Sequence, residues 1–169
     1  MLTADDVRRL THVLVVLWIL GLTGGTFLRA QAWTSDLTLW TAAIAVTPQK
    51  PRPWINVGLA REAQGDIPGA FAAQQQAFAL AFQPRLTRYQ QVFTQLASLT
   101  NIARLLAQHD QEGAAEQLLT QIVQLAPQFP HAAYNLAVLY AKTGRCAQGI
   151  PFATRAHQLD ASFQVLTCP

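Results

Sequence analysis

Charge is what this chain has least of. Asp, Glu, Lys and Arg make up 12 % of its 169 residues, about half the usual share for a soluble domain. The net charge of +3 is scattered, with no basic stripe and no aromatic residues interleaved among the cations, which argues against a nucleic-acid surface. Only two cysteines occur, Cys146 and Cys168. They form no Cys-x-x-Cys pair and no haem-attachment motif. His12, His109, His131 and His157 are far apart and have no metal-ligand spacing. Glu62, Asp66, Asp110, Glu112 and Glu116 form no acid–base pair, and His109-Asp110 reads as a polar turn. The sequence has no Gly-x-Ser-x-Gly and no His-Glu-x-x-His. Gly21-Leu22-Thr23-Gly24-Gly25 lies inside an apolar run and is no phosphate loop. No catalytic residue, metal site or cofactor is therefore expected, and the chain does not read as an enzyme.

Hydrophobic residues, in contrast, reach 51 %. Part of that excess is one segment. Leu10 to Leu28 carries no formal charge, and about 20 mainly apolar residues suffice for a membrane-spanning helix. Arg8 and Arg9 flank it on one side and Arg29 on the other; Trp33 follows at headgroup depth. Two readings fit. An uncleaved anchor uses residues 10–33 as span and interface, behind a tail at 1–9. A cleaved secretory signal would use Arg8-Arg9 as its basic end and Ala30-Gln31-Ala32 as its small-x-small site. The length of the run, and Phe27, Leu28 and Arg29 before the site, favour the anchor. The basic tail puts the N-terminus inside and residues 34–169 outside the cytoplasm. Gly21 and Gly25 form a GxxxG, which admits a second membrane helix; glycine is also simply frequent in such helices.

The rest of the excess is alanine-rich and periodic. Asn101 and Asn135 are 34 residues apart. They lie in matching phrases, Leu99-Thr100-Asn101-Ile102-Ala103 and Ala133-Tyr134-Asn135-Leu136-Ala137; Trp54-Ile55-Asn56-Val57-Gly58 is a third. In units that start at Pro51, Leu96 and Pro130, position 8 holds Gly58, Ala103 and Ala137. Position 20 holds Ala70, Ala115 and Gly149, and position 27 holds Ala77, Ile122 and Ala156. A fixed period in this range marks a stack of helical repeats. Small residues let two helices approach closely, and large ones at positions 4, 7 and 24 fill the space beside them. Gly65-Asp66 and Gly144-Arg145 stop one helix and turn into the next.

This pattern resembles the tetratricopeptide repeat family over roughly residues 35–163. The resemblance implies an all-α fold. It consists of a half repeat at 35–50, repeats at 51–84, 96–129 and 130–163, and an insertion at 85–95. Arg61 and Leu106 depart from the family's aromatic at position 11, and Gln74 from that at position 24. The insertion continues the helical spacing through Leu86, Tyr89, Val92, Phe93, Leu96, Leu99, Ile102 and Leu106, so it reads as an early start to the next helix. Gln74-Gln75-Gln76 reads as a polar surface, either covered by partners or simply solvated.

In this family the first helix of each unit lines a concave, partner-binding face. By resemblance that face carries Arg52, Ile55, Asn56 and Leu59; Ala97, Thr100, Asn101 and Arg104; and His131, Tyr134, Asn135 and Val138. An amide both donates and accepts, so the three asparagines suit the backbone of an extended peptide. The lysine pair with which some members clamp a chain terminus is absent. Cys146 lies at the last helical turn and Cys168 near the chain end. The eight residues after Asp160 reach about 27 Å extended, against about 21 Å for a 14-residue helix. In an oxidising compartment the two can pair and pin the tail; otherwise they are unrelated thiols.

The order of features also resembles the last-membrane-helix-plus-repeats end of bacterial multi-spanning glycosyltransferase-like proteins, through Arg29-Ala30-Gln31-Ala32-Trp33 and Ser35-Asp36-Leu37-Thr38-Leu39-Trp40. The expectation is a single-pass protein of a bacterial inner membrane, its repeats in the periplasm. It would serve as a scaffold or accessory subunit for other, integral membrane proteins. Two alternatives stand: a repeat module serving a glycosyltransferase-like membrane enzyme, and a secreted adaptor cleaved near Ala32.

Overall fold

The structure is a computed structural model and describes residues 4–30 and 33–168. Among them are eight α-helices and no strand. These are α1 (Ala4–Ala30), α2 (Asp36–Val46), α3 (Pro51–Ala63), α4 (Ile67–Leu80), α5 (Arg88–Gln108), α6 (Glu112–Leu125), α7 (Pro130–Lys142) and α8 (Cys146–Leu159).

Helix α1 stands apart from the rest. It has 27 residues, an axial length of about 40 Å. Its stretch Arg8–Ala30 is long and apolar enough to cross a membrane. From Arg8 to Ala30 its side chains are exposed, and it packs against none of the other helices. A cleavage site at Ala30-Gln31-Ala32 falls, beyond Ala30, outside the described residues.

The remaining helices start and stop for local reasons. Ser35 caps α2 by accepting from the Thr38 N–H at 3.2 Å. Asp66 caps α4 by accepting from Gly69 N–H at 2.9 Å. Thr87 and Gln90 form a reciprocal capping box at the head of α5, with bonds of 3.2 and 3.0 Å. That box is why the insertion is helical from Arg88 onward and continuous with the following repeat helix; Leu86 stays in the turn before it. Gly65 and Gly144 end α3 and α7 in the left-handed region, at φ 78° and 75°. The equivalent place after α5 is Asp110, which takes the same conformation at φ 56°. A side chain there costs energy that glycine avoids. Gly144→Ala is therefore expected to lower stability by about 1 kcal/mol, and Asp110→Gly to leave it unchanged or raise it by up to about 0.5 kcal/mol. The thermal midpoints of the two variants read the opposite signs.

The hairpins α3–α4, α5–α6 and α7–α8 stack in order, and α2 packs on α3. The core follows the repeat register. Gly58, Ala103 and Ala137 are buried, as are Ala70, Ala115, Gly149, Ala77, Ile122 and Ala156. Between α7 and α8 the approach is so close that a methyl group on Gly149 would lie 2.8 Å from the carbonyl oxygen of Ala137. An apolar cluster joins Ala103, Leu119, Ile122, Phe129, Leu136 and Leu139 across the last two hairpins.

Gln74 corrects the surface reading of the glutamine run. Gln75 and Gln76 are exposed, but Gln74 is buried. Its amide donates to the Ile55 carbonyl at 3.1 Å. The space for it comes from Gly58, where a methyl would meet the amide nitrogen at 2.4 Å. A polar side chain thus takes the place of an aromatic because the facing helix has given up its own.

Candidate functional site

The two layers of the stack differ in spacing. Helices α3, α5 and α7 touch one another, α3 to α5 and α5 to α7. Helices α4, α6 and α8 make no direct backbone contact with each other. Close inner helices and splayed outer ones make a curved stack, with the α3/α5/α7 layer on the inside of the curve. Asn56, Asn101 and Asn135 occupy equivalent places on those three helices.

Arg52, Leu59 and His131 on this layer are exposed; Ile55, Asn56, Ala97, Asn101, Arg104, Tyr134, Asn135 and Val138 are partly buried. Thr100 departs from the expected inward-facing set, being only 2 % exposed. Its helix has repeat neighbours on both sides, whereas α7 has one on only one side, so a short side chain at this place is covered.

Charge on the inner layer is largely neutralised. Arg104 pairs with Glu62 across α3 and α5, and Gln108 donates to the same carboxylate oxygen at 2.8 Å. Arg104 also approaches the Asn101 amide oxygen at 3.5 Å. Asn56 donates to the Arg52 carbonyl at 3.2 Å, one turn back in its own helix. The face therefore presents amides, an imidazole, apolar surface and one exposed cation, Arg52.

The last hairpin is anchored at its turn. Arg145 donates two hydrogen bonds to Glu116, at 3.1 and 2.7 Å. Its guanidinium also sits 4.7 Å from the centroid of the Tyr140 ring. The hydrogen bonds from Arg145 hold the Glu116 carboxyl below its usual pKa, against a smaller opposing effect of burial. Next to this fixed point, Cys146 is joined to Cys168 as a disulfide, with the two Cα atoms 5.8 Å apart. The chain after α8 thus returns to the start of α8.

On its way back the tail crosses α7. The ring of Phe163 lies 5.1 Å from His131 and 5.0 Å from Tyr134, centroid to centroid. His157 Nδ1 lies 2.7 Å from the Phe163 carbonyl oxygen, which can only accept, so Nδ1 carries the proton. His131 in turn stacks on Phe129 at 5.0 Å. Desolvation of its ring lowers the His131 pKa, a shift that the nearby Asp160 charge opposes. The row continues through Phe93 to Tyr89 on the inserted turns of α5. Beside it an open cleft of about 280 Å³ is lined by Tyr89, Val92, Phe93, Leu96, Phe129 and His131, with Ala126, Gln128 and Pro130.

Phe163, Phe129 and the exposed Tyr89 lie outside the set that the repeat register assigns to the inner face. Tyr89 and Phe93, four residues apart on the insertion, were the available signal. Gly21 and Gly25 lie one turn apart on α1, and a side chain at either would meet open space. Among the described residues no group of His, Cys, Asp and Glu is placed to hold a metal.

No protein-family model matches the chain, and no curated protein matches it. Among solved structures, it is similar to one described as "MamA RS-1 ArsTM double mutant". The two share 22 % identity, over 83 % of this chain and 75 % of that one, with a TM-score of 0.45.

Proposed function

We propose that the chain is a membrane-tethered interaction module. Helix α1 holds it in a bilayer, and the inner layer of α3, α5 and α7 recognises an extended segment of another protein. The observation that carries this reading is the curved inner layer, with amides at equivalent places on three adjacent helices and Arg104 paired with Glu62 between two of them. Repeat stacks of this kind offer long surfaces of that type. The tether raises local concentration, so that capture becomes nearly intramolecular.

The natural setting is a complex of integral membrane proteins in a bacterial inner membrane, with the repeats in the periplasm. The Cys146–Cys168 bridge supports that side of the membrane, because disulfides persist in oxidising compartments. The GxxxG at Gly21 and Gly25 supports direct packing of α1 against a partner's membrane helix.

Affinity capture in mild detergent tests the reading. Replacing Asn56, Asn101 and Asn135 together by alanine is expected to weaken capture of the partner. Each amide that contacts main chain contributes roughly 0.5–1.5 kcal/mol, so the triple variant should retain only a small fraction of it. Helix content should not change. Undiminished capture by a folded triple variant would move recognition to the outer helices or to α1.

A further inference from the structure

We infer that the chain's own tail is a built-in occupant of its partner-binding face, and that the natural partner presents an aromatic side chain on an extended segment to the same slot. The inference rests on the reading of the inner layer as a binding face, and it names the chemistry of what that face takes.

Three observations carry it. First, His131 and Tyr134, two of the residues that the repeat register assigns to the inner face, are both in ring contact with one side chain, Phe163. Second, Phe163 lies in the turn just after α8, where its N–H donates to the Asp160 carbonyl at 3.1 Å, and the chain beyond it runs without regular structure to Cys168. It is held by a contact from His157 to the Phe163 carbonyl, the kind of main-chain contact that any extended peptide can make. Third, the far end of this segment is closed by the bridge to Cys146. A tethered occupant is present at an effective concentration on the order of 1 mM. The bridge makes its departure rarer still.

The slot is specific in kind. It is walled by a flat, stacked imidazole and a phenol ring. An aromatic side chain gains ring contacts on both walls, whereas an acidic one gains none. The ring row beyond it runs from His131 across the buried Phe129 to the exposed Phe93 and Tyr89, toward the inserted turns of α5. A partner segment longer than the tail can follow it.

Opening the bridge releases the competitor. Thiol–disulfide exchange with a dithiol supplies two electrons and two protons. Cys146 and Cys168 become thiols, and the dithiol becomes the disulfide. The tail then exchanges with external peptide.

The test uses the full chain in detergent micelles and a fluorescent peptide that copies residues 161–167. The host is the variant Cys146→Ser/Cys168→Ser/Phe163→Ala, with its fold checked by circular dichroism. The peptide is expected to bind this host, and to bind oxidised wild-type protein about tenfold or more weakly, as a tethered competitor requires. Dithiothreitol should raise binding to the wild type. The peptide with alanine in place of its phenylalanine should bind neither. Equal binding to the oxidised wild type and the open host would overturn the inference, because the peptide would then be using another surface. Lack of binding to a folded open host would also overturn it, making the tail only a cap on the last hairpin. If the open host does not fold, the variant Phe163→Ala with the bridge intact serves in its place with the same two outcomes. Capture of the natural partner by the wild type, lost in the asparagine triple variant, would stand in either case.

Discussion

Leu136→Ala is expected to cost about 3 kcal/mol of unfolding free energy, within the 2–5 kcal/mol usual for a leucine removed from a close-packed core. Leu136 is fully buried at the centre of the cluster that joins the last two hairpins. Alanines at Ala103, Ala115 and Ala132 already bring the helices together there, so they have little freedom to collapse further into the void. The control is Leu125→Ala on the same stack. Leu125 is 85 % exposed, and its loss should change stability by no more than about 0.5 kcal/mol. Denaturant unfolding of the full chain in detergent, followed by circular dichroism, separates the two. A solenoid transmits stability only between neighbours, so the loss should appear first in α5 to α8. Equal effects of the two substitutions would mean that the hairpins do not pack in this register.

The second large effect concerns α1. Leu17→Arg with Leu20→Arg places two cations near the middle of the apolar run. Each costs about 2.5–3.5 kcal/mol at the centre of a spanning helix. Together they should reverse insertion, and the variant should leave the membrane fraction on alkaline carbonate extraction. The wild type should stay. Among the described residues no other helix packs on α1, so these substitutions read the environment of α1 directly. A double variant that resists extraction would mean that the repeats, and not α1, hold the protein at the membrane.

The helical stack was legible in the sequence because its determinants are local and periodic. Small residues at three places in each unit, with Ile122 the exception, mark where helices touch, and those places are buried in all three hairpins. Gly65 and Gly144 mark turns because left-handed backbone favours glycine. What the register did not give was the surroundings of each place. Thr100 has the same register as Ile55 and Tyr134, yet it is covered, because its helix is flanked on both sides. Gln74 sits in a run of three glutamines, and only the vacancy left by Gly58 on the facing helix takes it inside. Phe163 lies 34 residues after Phe129, and the N–H of each closes the same turn, onto Asp160 and Ala126. The period thus reaches the start of the tail. Which rings Phe163 meets depends on a surface built by other elements, and spacing along the sequence does not encode that.

Site-specific photocrosslinking in intact membranes tests the central claim most directly. A photoreactive residue is placed at Asn101 on the inner layer, or at the exposed Gln76 on α4 of the outer layer. The account predicts a protein adduct from the inner position and none from the outer one. Adducts from Gln76 alone would contradict it, because the partner would then be reading the outer face of the stack.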